Sequence, residues 1–182
     1  MRSTGRLLAD WVTRPPPISA AEFRRRRAEL IESARVQSAA HNISNGSGRR
    51  VLSLVRASSV KFSAPPDVPY PYHEASNFRY LTGLKIPDAV LVVEGVTRGQ
   101  GNETATWLAV PSRSANDELW NGALPKGDEL KTMAGVDEVL ARERLDELIE
   151  WVGSRCFRLI NAENEMNLCR GWGDHSFSFG IE

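Results

Sequence analysis

Apolar residues follow two different rhythms along this chain. Phe23, Leu30, Ile31 and Ala34 recur at helical spacing, and Leu145, Leu148, Ile149 and Val152 repeat at i, i+3, i+4 and i+7. Both patterns gather the apolar side chains on one stripe of a helix. The first predicts a helix from Ser19 to about Ala39. It opens with Ser19-Ala20-Ala21-Glu22, a capping box in which the Ser19 hydroxyl takes an orphan amide three residues on and Glu22 reaches back. The middle of the chain follows the other rhythm. Residues 51–55, 58–62, 78–81, 89–94 and 104–110 are β-rich runs read as strands, and 156–160 reads as a last one. Ala89-Val90-Leu91-Val92-Val93 is apolar without interruption, the pattern of a strand covered on both faces. Short helices are predicted over 114–120, capped by Ser114, and over 128–134, ended by Gly135. Helices interleaved with strands predict an α/β fold with a mixed sheet and helices packed on it.

Between these elements the punctuation is clear. Pro15-Pro16-Pro17 forms a stiff extended linker and marks the start of the domain. The Gly46-Ser47-Gly48 loop has no strand before it and no helix after it, so it lacks the context of a phosphate cradle. Pro65, Pro66, Pro69 and Pro71 make an irregular segment with Tyr70 and Tyr72 interleaved, suited to sealing a sheet edge or to binding a peptide. Arg24 to Arg27 spread around the first helix, so they cannot all face one ligand. They read as a solvated helix surface.

Composition narrows the classes without choosing one. Of the 182 residues, 41% are hydrophobic and 25% charged, enough for one well-buried domain. Lys+Arg and Asp+Glu balance at 23 each, so no overall field favours nucleic acid or an anionic membrane, and neither is expected as a partner. No apolar run approaches the roughly 20 residues of a membrane span. Cys156 and Cys169 form no metal-ligand spacing and fit a reducing compartment. The sequons at Asn42, Asn45 and Asn102 are read as chance. Arg2, Arg6 and Arg14 among Leu7, Leu8, Trp11 and Val12 have the makings of a mitochondrial presequence. A frayed cytosolic start fits them as well, so the expectation is cytoplasmic with mitochondrial as the alternative.

Candidate chemistry is sparse. His41, His73 and His175 sit in separate segments, none in an H-E-x-x-H spacing. Glu143 and Glu147 flank Arg144 as helix-surface pairs, and no G-x-S-x-G elbow occurs. From these residues alone no catalytic constellation emerges.

One stretch goes further. Tyr70-Pro71-Tyr72-His73-Glu74-Ala75-Ser76-Asn77-Phe78-Arg79-Tyr80-Leu81-Thr82-Gly83 continues through Pro87-Asp88-Ala89 to Leu91. It resembles the signature of aminopeptidase P (Xaa-Pro aminopeptidase) N-terminal domains, with Ala75 where Asn or Ser is usual and Ile86 where Glu is usual. The opening helix at 18–30, Glu118-Leu119-Trp120-Asn121-Gly122 and Gly135-Val136-Asp137-Glu138 resemble further family motifs in the same order. The resemblance covers about residues 17–160. It divides the chain into an N-terminal extension (1–16), the family domain (17–160) and a divergent tail (161–182).

The resemblance implies the creatinase-like fold, a mixed sheet with helices on both faces. In full-length relatives this domain precedes a catalytic domain. There two Asp, one His and two Glu hold a pair of divalent metals, usually manganese, whose bridging water attacks the bond before proline. No positions here match those ligands, so no catalytic or metal residue is assigned, no cofactor is expected in this chain, and it is expected to be inactive alone. The role implied is in homo-oligomer formation, or docking to a full-length relative, and in bordering the entrance for peptide substrate. Trp120 is carried over as a substrate-entrance or interface contact; a helix anchor in the core fits that residue type equally. The alternative function is a stand-alone, non-catalytic peptide- or protein-binding module.

Overall fold

The computed structural model describes residues 18–40, 50–64, 68–98, 101–153 and 159–161. The proline run at 15–17, the loop at 46–48, His41, His175, both cysteines and the tail beyond Asn161 lie outside the described residues.

The first helix, α1 (Ala20–Ala40), begins where the capping box predicts. The Glu22 amide donates to the Ser19 hydroxyl at 3.4 Å, while the Glu22 carboxylate is held by Arg25 (2.7 and 2.8 Å) and Arg26 (3.0 Å). Strands β1 (Arg50–Arg56), β4 (Val90–Arg98), β5 (Gly101–Val110), β6 (Glu138–Ala141) and β7 (Leu159–Asn161) form one sheet in the order β6-β5-β4-β1-β7. The β1–β4 and β4–β5 pairs are antiparallel; β5–β6 and β1–β7 are parallel. The sheet is mixed, as expected. A separate two-stranded ribbon pairs β2 (Phe62–Ala64) with β3 (Val68–Pro69).

Helices cover both faces of the sheet. On one face α1, α2 (Ser76–Thr82) and α4 (Gly127–Ala134) pack on Val51, Val55, Leu91, Val93 and Leu108. On the other, α5 (Leu145–Gly153) lays Leu145, Leu148, Ile149 and Val152 against Leu52, Val90, Val92 and Ala109. The uninterrupted apolar run in β4 is thereby explained: alternate residues serve opposite cores, and Val90 to Val93 are all buried. Burial of each such side chain contributes about 1.5–3 kcal/mol. Where α1 crosses β4, only glycine fits. A Cβ on Gly95 would lie 2.1 Å from Ile31 Cγ2.

Three expectations from the sequence are corrected, and one strand is added to them. Arg27 is not on a solvated surface: it is fully buried, while Arg24 and Arg25 are exposed and Arg26 half-buried over the Tyr80 ring at 4.2 Å. The Arg27 guanidinium donates to the carbonyls of Leu81 (2.8 Å), Ala134 (3.0 Å) and Gly135 (2.5 Å), which lie at the ends of α2 and α4. Those helix-end carbonyls have no intrahelical donors, and the buried cation supplies them.

Residues 78–81 form part of helix α2 instead of a strand. Phe78, Leu81 and Thr82 bury one face, and Gly83 (φ 71°) ends the helix by donating to the Arg79 carbonyl at 2.8 Å. Residues 58–61 are likewise no strand, because the backbone of Ser58 is engaged elsewhere. Its amide donates to Glu74 at 2.9 Å, and its carbonyl accepts from Tyr72 (3.1 Å) and the Asp88 amide (3.1 Å). Finally, β6 was not foreseen. Asp137 staples it to β5, accepting from the Thr106 amide (2.8 Å) and hydroxyl (2.7 Å) while its own amide donates to the Thr106 carbonyl (3.0 Å).

Candidate functional site

The pairing registers place Arg56 opposite Val90, Val90 opposite Ala109, Val110 opposite Ala141, and Leu54 beside Asn161. The C-terminal ends of β1, β5, β6 and β7 therefore gather at one end of the sheet, with the start of β4 among them. Two segments singled out in the sequence leave from this end: 70–74, tied to Ser58 just after β1, and α3 (Ala115–Asn121), which follows β5 after four residues.

The first segment is held by a half-buried carboxylate. Glu74 accepts from the Tyr72 hydroxyl (2.7 Å), the Ser58 amide (2.9 Å) and the Ala75 amide (2.8 Å). Burial pushes its pKa above the ordinary carboxylate value, although these donors pull the other way. Burial and the Glu74 carboxylate beside it push the Tyr72 phenol up as well. With its oxygens so occupied, Glu74 braces the segment and is not positioned as a general base. Beside it, Asp88 adopts a left-handed conformation (φ 59°), which a short Asp side chain tolerates. Asp88 accepts from Ser59 Oγ (2.5 Å) and, through its carbonyl, from Arg142 (2.7 Å), with Arg56 at 3.7 Å.

Helix α3 carries Trp120. Its start is a full capping box: the Ser114 hydroxyl accepts from the Asp117 amide (3.1 Å), and the Asp117 carboxylate accepts from the Ser114 amide (3.2 Å). The hydroxyl of Ser114 holds the Asp117 pKa below its ordinary value. At the other end Arg113 donates to the Gly122 carbonyl at 2.5 Å, and burial lowers its pKa. Between these anchors every side chain from Ala115 to Leu119, and that of Asn121, is exposed; Leu119 is 77% exposed. The side chain of Trp120 itself lies outside the described residues.

Tyr70 is also open to solvent, at 58%. The chain thus brings α3 and the 70–74 segment to one end of the sheet. His73, the one histidine among the described residues, is exposed. Among the described residues no group of three His, Cys, Asp or Glu side chains could hold a metal ion, so they do not fit a two-metal centre. No helix of the described residues is long and apolar enough to cross a membrane.

A family profile described as "Aminopeptidase P, N-terminal domain" matches residues 23–158. The chain belongs to that family. It is 31% identical over 134 residues to human Xaa-Pro aminopeptidase 3, a match that covers 74% of this chain and 25% of that protein. To the Xaa-Pro aminopeptidase of Escherichia coli (strain K12) it is 32% identical over 130 residues, 71% of this chain and 26% of that one. Aminopeptidase P from E. coli, solved in a low-pH form, superposes with a TM-score of 0.55 at 27% identity over 74% of this chain and 27% of that chain. A putative aminopeptidase P from Bacillus anthracis shares the fold with a TM-score of 0.61 at 15% identity, over 88% of this chain and 33% of that one. The chain therefore spans about a quarter of the length of the curated relatives it matches.

Glu74 lies within the family-like stretch, but without the fold it is an ordinary loop acid. Its bond to Ser58 links positions 16 apart and has no local sequence signal.

Proposed function

We propose that this chain serves as the N-terminal domain of a manganese-dependent Xaa-Pro metallo-aminopeptidase, performs no chemistry of its own, and docks through α3 and the 70–72 segment. Residues 17–160 are the domain in this reading, with 1–16 an extension and 161–182 a tail. The partner is a second copy or a full-length relative, and the role is oligomerisation and shaping of the entrance for peptide substrate. The relatives' names supply the activity. The donors for the family's two metals are not among the described residues, so no catalytic step is assigned here.

The exposure of α3 carries this reading. Short helices in water are marginal without packing of an apolar face. Yet α3 is anchored at both ends while none of its described side chains is buried, and Leu119 points an apolar side chain outward. A surface so held and so little used by its own domain is suited to another molecule. Trp120 is assigned the central contact, since Trp anchors of this kind typically contribute about 2 kcal/mol or more to binding.

Sedimentation velocity and thermal melting of the parent and of Trp120→Ala test this directly. The expected result is association in the parent and its loss in the variant with an unchanged melt. A monomeric parent that also fails to bind a full-length relative, with a lowered melt in the variant, would make Trp120 a core anchor and overturn the reading. We assign the domain to the cytoplasm, with the mitochondrion as the alternative address; imaging of the tagged full chain distinguishes them.

A further inference from the structure

Resting on the reading that α3 docks, we propose that its occupant is a second copy of this chain, bound about a two-fold axis, with Arg79 of each protomer pairing with Glu118 of the partner subunit. Every other described arginine side chain makes a hydrogen bond or an ion pair within the domain. Arg79, exposed on α2, makes neither. Its surroundings do not neutralise it. Lys85 lies close by with a like charge: burial, and after it the charge of Arg79, lowers the Lys85 pKa. The Glu74 carboxylate, which Lys85 also senses, already accepts from Tyr72, Ser58 and Ala75.

Helix α3 carries the opposite pattern. Asp117 and Glu118 make its first turn acidic. The capping box engages Asp117, whereas among the described residues no hydrogen bond or ion pair engages the exposed Glu118 carboxylate. Arg113 senses the Glu118 charge, but it is half-buried and donates to the carbonyls of Asn121 (3.3 Å) and Gly122 (2.5 Å). Beside each unpaired charge stands an open apolar side chain. Tyr80, 53% exposed, follows Arg79, and Leu119, 77% exposed, follows Glu118. One helix thus offers a cation with an aromatic ring, the other an anion with an aliphatic group. Helix α2 begins directly after the 70–74 segment, and α3 shares that end of the sheet. A foreign partner of one charge would satisfy only one of the two helices. A second copy satisfies both, because each contact of an isologous interface is made twice, once in each direction.

The test is sedimentation equilibrium of the full chain carrying Arg79→Glu, Glu118→Arg, or both. The parent should dimerise, and each single reversal should raise the dissociation constant about tenfold or more, since like charges then meet at both pairs. An equimolar mixture of the two single variants has opposite charges at each pair and should return the parent constant, as should the double reversal. Both side chains are exposed, so the thermal melts should match the parent. Arg79→Gln and Glu118→Gln, which are gentler on the fold, should shift the constant in the same direction. Single reversals that dimerise like the parent would overturn the pairing while leaving docking through Trp120 intact. A mixture as dissociated as its components would overturn it too. A monomeric parent would overturn the second copy as occupant, and capture by a full-length relative would then decide whether α3 docks at all.

Discussion

A guanidinium stripped of water has to find acceptors inside the protein, and Arg27 finds three carbonyls at two helix ends. Burial lowers its pKa to about 10, still far enough above neutrality for the cation to persist. Arg27→Met should cost about 2 kcal/mol or more, because it leaves the buried Leu81 and Ala134 carbonyls unpaired at roughly 1 kcal/mol or more each, while the Gly135 carbonyl keeps its bond from Arg24 Nε at 3.1 Å. A urea midpoint within error of the parent would contradict that bond set. Its burial had a signal in the sequence. Phe23, Arg27 and Ile31 stand four apart, so Arg27 shares their stripe; grouping it with its basic neighbours hid the periodicity. Glu74 supplies a pH prediction. Its folded pKa lies above the ordinary 4.5, so the native state binds the proton more tightly than the unfolded chain. Glu74 therefore makes stability fall as pH rises from about 4.5 through the folded value. Glu74→Gln should remove that contribution, flattening the dependence of the urea midpoint between pH 4 and 7. Equal slopes in parent and variant would show that the carboxylate is not perturbed.

Among the elements, the long and strongly patterned ones were legible and the short ones were not. The buried run of β4 and the spacing along α1 and α5 outlasted every competing influence. Residues 78–81 are ambiguous because three apolar or aromatic positions, Phe78, Tyr80 and Leu81, fit either period. The decision was made by Gly83 closing a helical turn and by Phe78 packing into the core. The strand β6 depends on Asp137 meeting Thr106, 31 residues away, which no local pattern reveals. At the crossing of α1 and β4, Gly95→Ala would push a methyl into Ile31. Overpacking of this kind costs typically about 1–3 kcal/mol, and Ile31 Cγ2, one bond from a Cβ that would itself lie 3.3 Å away, has little room to give. Denaturant unfolding of Gly95→Ala should show that loss, and pairing it with Ile31→Val should not restore the parent, since Val keeps a methyl at Cγ2. An unperturbed midpoint would mean that the helix is free to shift.

At the scale of the molecule, the mixed sheet covered on both faces and membership of the aminopeptidase P N-terminal family agree. The family stretch at 70–91 carried that inference, since the separate histidines and surface acids point to no reaction. What the sequence could not reveal was the placement of α3 and the 70–74 segment at a common end of the sheet, because that follows from strand order alone. The central claim is that this chain supplies fold and surface but no chemistry. It is tested most directly by incubating the purified 182-residue chain with a Xaa-Pro peptide and manganese and measuring release of the N-terminal residue. The account predicts no release above a metal-only control. Manganese-dependent release that copurifies with the chain through rigorous removal of contaminating peptidases, and is lost when the chain is depleted, would contradict it.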